Sequence, residues 1–302
     1  MIRLHCKPEY LYRPQQLLSR LCRDSDGQRW VTLPWGLPIL VSPIDTLGNS
    51  IIRSGLYELG LTEALWRLTQ PGDCAVDVGA NVGYMTSVMA CRAGFGGSVI
   101  SFEPHPGLFQ ELKAHATKWQ AEFDVACIHL FQNAVGGASG RAPLYVPAGF
   151  HTNRGLASLT SPIAEGAERI EVDICRLDEV IRSVAPKVLK VDVEGHELDV
   201  LKGASHLLTA GRVRAVLFEE NDDFPSPAST YLTELGYTIF GLDTGWTGPR
   251  LVRPRTGQRI GRSWEPPTLV ATREPATVEN AFQKCGWHSL RCKAAARKAL
   301  QT

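Results

Sequence analysis

A doubly wound α/β fold with a mostly parallel sheet is the class this sequence predicts, and three observations lead to it. From about Cys74 to about Arg273, runs rich in Val, Ile, Leu and Phe alternate with stretches of helical period. Strand then helix, repeated, requires a parallel sheet covered on both faces. The first such unit, "CAVDVGANVGYMT" from Cys74 to Thr86, carries an apolar run into an acid and then sets Gly79, Asn81 and Gly83 at every second position, as a buried strand turning into a helix would. Finally, 302 residues at 44% hydrophobic and 21% charged are ordinary globular composition, enough for one large domain with extensions.

In chain order, residues 1–54 are punctuated by Pro8, Pro14, Pro34, Pro38 and Pro43, which predicts an N-terminal extension packing on the core. Residues 55–273 form the main domain. Its strand candidates are "CAVDVG", "GSVISFE", "IHLFQNAVG", "APLYVP", "RIEVDIC", "VLKVDVE", "AVLFEE", "YTIFGLD" and "TLVATR". Helix candidates lie between them: "GYMTSVMACRAG", "GLFQELKAHATKWQ", "HELDVLKGASHLLTAG" and "STYLTELG". In the third, Leu198, Leu201, Ala204 and Leu208 recur at three- and four-residue spacing and mark one buried face. Residues 244–267, rich in Gly, Pro and Arg, predict a long loop, and residues 274–302 a basic C-terminal tail.

A net charge of +1 argues against a nucleic-acid partner. The first residues lack the apolar core of a signal peptide, and no run reaches the roughly 18 apolar residues that span a bilayer, so the expected compartment is the cytoplasm. Eight cysteines without a spaced framework, several inside apolar runs, fit a reducing compartment. The cluster Cys285, His288 and Cys292 offers three metal ligands and lacks a fourth nearby.

The spacing D-x-G-x-N-x-G differs from the G-x-G-x-x-G of dinucleotide sites, so it implies no pyrophosphate. Asp77 at that strand end suits a ligand carrying a positive ammonium, and the glycines leave the backbone open to it. Glu103, followed by Pro104, ends the next strand, where a carboxylate accepts two hydrogen bonds from a ribose diol. Asn133 and Ala134 end the strand after that and are placed to read an adenine edge. These features together describe S-adenosylmethionine.

The chain at this point resembles the class I S-adenosylmethionine-dependent methyltransferases and, within them, the FkbM family. The resemblance is carried by "GLYELG", "PGDCAVDVGANVGYMT", "VISFEPHP", "NAVGGASGRAPLYVP", "ASLTSP" and, most specifically, "VLKVDVEGHELDVLKGA", between about residues 55 and 240. It implies a Rossmann-like, seven-stranded doubly wound sheet and O-methylation of a small-molecule or carbohydrate hydroxyl, on a sugar or natural product. Carried across, Asp77, Gly79, Ala80, Asn81 and Gly83 would cradle the cofactor, Glu103 and Pro104 hold the ribose, and Asn133 and Ala134 the adenine side.

"KVDVEGHE" supplies the second set. Its strand belongs beside "CAVDVG", which puts Asp192, Glu194 and His196 at the mouth of the cleft. Methyl transfer to an oxygen needs alignment and removal of one proton. A helix starting near His196 would lower the pKa of both Glu194 and His196, keeping the imidazole neutral; the expected roles are His196 as base, Asp192 positioning cofactor or substrate, and Glu194 orienting. Glu219, Glu220 and Asn221 border the same cleft and could join Asp192 around a divalent ion, which the resemblance does not require; no metal is expected. Tyr57 and Glu58 are candidates to fold over the cofactor, and Arg154, Ser158 and Thr160 to form a substrate wall. Two other readings compete: a nicotinamide oxidoreductase, disfavoured by the glycine spacing and by the lack of a Tyr-x-x-x-Lys pair, and a non-catalytic binding module on the same scaffold.

Overall fold

A computed structural model describes residues 27–159, 167–182, 184–220, 222–257, 267–292 and 295–298. Thr160, Asn221, residues 1–26 of the expected extension and part of the basic C-terminal stretch lie outside the described residues. Among the described residues no helix is long and apolar enough to cross a membrane.

Within the N-terminal segment, β1 (Arg29–Thr32) and β2 (Pro38–Val41) form an antiparallel hairpin, and α1 (Thr46–Ser54) follows with Asp45 as its N-cap. Trp35, Leu37 and Ile39 are fully buried, so the hairpin is part of the core. After α2 (Leu59–Leu68) the units alternate: β3 (Cys74–Val78), α3 (Tyr84–Ala93), β4 (Ser98–Phe102), α4 (Pro106–Glu122) and β5 (Cys127–Phe131). Three strands then leave the main sheet. These are β6 (Ala134–Val135), β7 (Gly140–Val146) and β8 (Glu168–Cys175), which form a small sheet of their own in the order β6-β8-β7. The chain returns through α5 (Leu177–Val180), β9 (Val188–Val191), α6 (Glu197–Gly203), α7 (Ser205–Thr209), β10 (Ala215–Glu219), α8 (Pro227–Glu234), β11 (Thr238–Gly245), β12 (Gly248–Val252), β13 (Thr268–Thr272) and α9 (Pro275–Gln283).

The main sheet runs β12-β11-β13-β10-β9-β3-β4-β5. Its five strands from β10 to β5 are parallel, whereas β13 is antiparallel to β10 and to β11. Every residue of β3 is buried, and its neighbours alternate between two cores: Ala75 faces the side packed by the hairpin and α1 to α4, and Val76 the side packed by α6 to α8. That alternation is the period of two expected of a strand buried on both faces.

Three expectations need correction. The sheet has eight strands, not seven, because the segment expected as a loop at 244–267 begins with a hairpin: Trp246 and Thr247 turn the chain and Gly248–Val252 pairs with Gly241–Gly245. The helix expected across residues 196–211 breaks at Ala204, where Asp178 accepts hydrogen bonds from the amides of His206 and Leu207 and so caps a new helix start. Of the expected tail, residues 274–292 pack on the core. Trp287 is fully buried, and Glu63, buried on α2, accepts from the amides of His288 and Ser289 and from the Ser289 hydroxyl while paired with Arg67.

Candidate active site

A cavity of about 240 Å³ opens beyond the carboxyl ends of β3, β4 and β9. It sits where β3 has β4 on one side and β9 on the other, the switch point at which open α/β sheets bind ligands. Of the residues singled out in the sequence, Gly79, Ala80, Asn81, Glu103, Pro104, Asn133, Ala134, Asp192, Glu194 and His196 line it. Asp77 and Gly83 do not.

The glycines explain part of this. Gly79 has φ +76°, and a Cβ added there would lie 1.9 Å from the backbone oxygen of Asp192. Its close neighbour is therefore the end of β9, so the glycine keeps two strand ends together where the sequence had suggested a ligand. Gly83, at φ +93°, would drive a Cβ to 2.6 Å from Leu112 Cδ1; it lets α3 settle against α4. Between them Asn81 adopts φ +51°, a conformation asparagine tolerates, with its Oδ1 accepting from the Val82 amide at 2.7 Å.

Asp77 lies beneath the cavity, fully buried. Its Oδ2 accepts from the Thr86 hydroxyl at 2.6 Å and its Oδ1 is 3.2 Å from Lys190 Nζ. Lys190, which shows in the sequence only as one charge inside an apolar strand, also lies 3.3 Å from Asp192 Oδ2 and donates to the Gly79 carbonyl at 2.8 Å. The two carboxylates hold its pKa above the ordinary lysine value against the opposing effect of burial. The negative charge expected to meet a ligand's ammonium at Asp77 is thus committed to Lys190. Asp192, a third exposed at its side chain, is the carboxylate of this group that reaches the cavity.

Glu103 is buried at the end of β4. One carboxylate oxygen accepts from the Asn81 amide and the other from the His105 amide, both at 2.8 Å. Each oxygen keeps a further lone pair, the arrangement needed to receive two vicinal hydroxyls. Burial nevertheless pushes the carboxyl up to about 7, the two amides and Lys190 only partly offsetting it.

Glu194 differs from expectation, and His196 agrees with it in the direction of its shift but not in the cause. The helix that begins after His196 has seven residues, and Glu194 precedes its N-cap. Burial raises the Glu194 carboxyl to about 7, reinforced by the neighbouring charges of Asp192 and Glu197, where the helix start had been expected to lower it. Glu194 has φ +49° and is followed by Gly195 at φ +85°, two successive left-handed residues that lift the chain out of β9. Its carbonyl is tied by the Ser158 hydroxyl at 3.0 Å. His196 behaves as expected in direction: burial lowers its pKa, and its Nε2 lies 3.4 Å from Asp199 on its own helix.

Asn153, Arg154, Gly155, Ala157 and Leu159, in the connection between β7 and β8, line the cavity together with Asp45 and Leu47 of the N-terminal segment. Thr46 donates from both its amide and its hydroxyl to the Thr152 carbonyl at 2.9 Å, and the Arg154 amide donates to Asp45 Oδ1 at 3.3 Å. Arg154 Nη1 donates to Glu111 Oε1 of α4 at 2.6 Å. Tyr57, Glu58 and Glu219 line the cavity, and the Tyr57 amide donates to the Tyr84 hydroxyl at 3.0 Å; Glu220 does not line it. Among the described residues no group of three or more His, Cys, Asp or Glu side chains is arranged to hold a metal ion. Cys292 donates to the Ser289 carbonyl at 3.0 Å, and the His288 amide is used by Glu63.

Comparison with known proteins bears on what this site does. Residues 77–239 match the methyltransferase FkbM domain. A hexuronic acid methyltransferase, AglP, of Haloferax volcanii is 31% identical over 161 residues, 53% of this chain and 57% of the relative. The 31-O-demethyl-FK506 methyltransferase FkbM of Streptomyces tacrolimicus is 31% identical over 181 residues, covering 51% of this chain and 67% of its own length. Among solved structures, a methyltransferase FkbM from Methylobacillus flagellatus shares 17% identity with a TM-score of 0.43 over 75% of this chain and 61% of that one.

Proposed function

From the premise that this chain belongs to the FkbM methyltransferase family, we propose that it transfers a methyl group from S-adenosylmethionine to a hydroxyl of a sugar or natural-product acceptor. The observation that carries the cofactor assignment is Glu103, a buried carboxylate anchored by two backbone amides and lining a cavity at the switch point of the sheet. A ribose diol satisfies its remaining lone pairs, Asn133 and Ala134 flank the adenine side, and Asp192 offers a carboxylate to the ammonium of the methionyl part. The acceptor class is supported by relatives named for a hexuronic acid and for a macrocyclic natural product, each of which this chain matches over about half its length.

When bound, S-adenosylmethionine supplies an electrophilic methyl group on a sulfonium. What the chain adds is placement of the acceptor oxygen and a home for its proton. Glu194 fits the second role better than His196. Its carboxyl is poised near neutrality, where a general base is most effective, and its strained backbone is locked by Ser158 facing the acceptor wall. His196 is oriented sideways toward Asp199 and is assigned to positioning. Calorimetry with S-adenosylmethionine and with NAD tests the cofactor: binding of the first and not the second is expected, and preference for NAD would return the oxidoreductase reading. Formation of S-adenosylhomocysteine in the presence of acceptor separates an enzyme from a binding module.

A further inference from the structure

The turn that leaves β9 sends its two polar side chains to different parts of the cavity. Glu194 goes toward the β7–β8 connection: its Oε1 lies 3.9 Å from where a Cβ on Gly155 would stand, and its carbonyl accepts from the Ser158 hydroxyl. His196 goes toward the exit of β6. A Cβ on Gly136 would lie 3.5 Å from His196 Nε2, and one on Gly203 would lie 2.1 Å from the Gly136 carbonyl oxygen. The backbone just after β6 and the helix that follows His196 are therefore in direct contact. Asn133, Ala134 and Val135, which lead into Gly136, line the cavity together with His196.

This is the part of the cavity assigned above to adenine. Asn133 alone would read it poorly, because a side-chain amide carries both a donor and an acceptor and turns to suit either an amino group or a carbonyl on the base. A neutral imidazole with a fixed proton has no such freedom. Asp199 Oδ2 stands 3.4 Å from His196 Nε2, and a carboxylate, being an acceptor only, draws the proton to the nitrogen that faces it. Burial lowers the pKa of the ring in spite of that carboxylate, so the imidazole is neutral at neutral pH and Nδ1 is an acceptor. Among the described residues Nδ1 has no hydrogen-bond partner and is not sealed from solvent, and the side chain keeps 18% of its surface exposed.

We propose that His196 reads the base of the cofactor, its Nδ1 accepting from the 6-amino group of adenine, and so makes the site selective for adenosyl over inosyl ligands. In the inosyl form a carbonyl oxygen replaces the amino group, and two acceptors would face each other. The proposal rests on the cofactor assignment made above. It gives His196 a binding role, separate from the proton removal assigned to Glu194, and it makes Asp199 the residue that holds the imidazole in the discriminating tautomer.

The test is calorimetry on the full chain with S-adenosylhomocysteine and S-inosylhomocysteine, neither of which carries a methyl group to transfer. The wild type should bind the adenosyl form more tightly by about tenfold to a hundredfold, the effect of replacing one hydrogen bond by two facing acceptors. In His196→Ala the ratio should fall to within about threefold of unity, chiefly through weaker binding of the adenosyl form. His196→Phe keeps a ring there and has no acceptor, so it should lose the preference likewise, and it decides the matter if the alanine variant does not fold. Asn133→Ala should weaken both ligands by a similar factor and keep the ratio. A ratio that survives in either His196 variant, or that collapses in Asn133→Ala instead, overturns the proposal while leaving the cofactor reading in place. So does a wild type that binds the two forms equally. Failure of the wild type to bind either form removes the S-adenosylmethionine reading and this inference together.

Discussion

Strand ends make one side of the cavity and long-range assembly makes the other. On the first, backbone amides of Asn81 and His105 hold Glu103, and the Gly79 backbone abuts that of Asp192, all within or just after strands of one sheet. On the second, Arg154 from the β7–β8 connection meets Glu111 from α4 and Asp45 from the N-terminal segment, residues far apart in the chain. The difference separates two ways of fixing a ligand. A site built from strand ends inherits the rigidity of the sheet and suits a constant ligand, whereas one built from connecting segments varies without disturbing the core, which suits an acceptor that differs between related enzymes.

Between the two sides stands Glu194, and its replacement should have the largest effect. Glu194→Gln is expected to slow turnover by about 100- to 10,000-fold, the worth of a positioned general base, with cofactor affinity near wild type. In the wild type the rate should rise with pH through about 7, because the carboxyl accepts a proton only when ionised and burial has raised it to that value. The rise should be absent in the variant. Should His196→Ala suffer the larger loss while Glu194→Gln keeps the pH profile, the base would be the histidine.

Lys190 underlies the strand-end side alone, and its loss should appear as stability. Lys190→Met leaves Asp77 fully buried without its cation, an error that costs roughly 3–5 kcal/mol when a buried pair is broken. Chemical denaturation checks it, and adding Asp77→Asn should recover much of the loss because the buried charge is then gone. Equal losses in the single and double variants would mean that Lys190 acts by its contact with the Gly79 carbonyl instead.

The same division decides what could be read from the sequence. The unit "CAVDVGANVG" is local: an apolar run, an acid and glycines within ten residues state a strand, a turn and a helix start, and the strand-end position of Glu103 follows from the next unit. Yet even here the motif shows only that an acid sits at a strand end, and not that a lysine on the neighbouring strand lies against it. Lys190 itself gave no signal beyond one charge in "VLKVDVE". The sign of the Glu194 shift was missed for a related reason: a nearby helix start is visible in sequence, while burial beside Asp192 and Glu197 is tertiary. The β12 strand was hidden by composition, its glycine and proline reading as loop although Gly245 and Gly248 close a two-residue turn. Nothing local could have joined Asp45 to Arg154.

The smallest expected effect bears on Glu103 and distinguishes the two sides by pH. Glu103→Gln removes a charged acceptor and should weaken S-adenosylmethionine binding by roughly 1.5–3 kcal/mol, about tenfold to a hundredfold. In the wild type, burial raises the Glu103 carboxyl to about 7, so near pH 6 most molecules carry it protonated, with one oxygen turned from acceptor to donor. A diol that donates to both oxygens favours the ionised form, so affinity should improve as pH rises through about 7 and level off above it, with a slope approaching about tenfold per pH unit on the acid side. Binding should correspondingly release protons near pH 6, measurable as a buffer-dependent enthalpy in calorimetry. The slope should vanish in Glu103→Gln and persist in Arg154→Lys, since that residue stands on the other side of the cavity. An affinity flat between pH 6 and 8 in the wild type would mean that the ribose is not held by an ionising carboxylate, and a slope lost in Arg154→Lys would mean that the two sides are coupled.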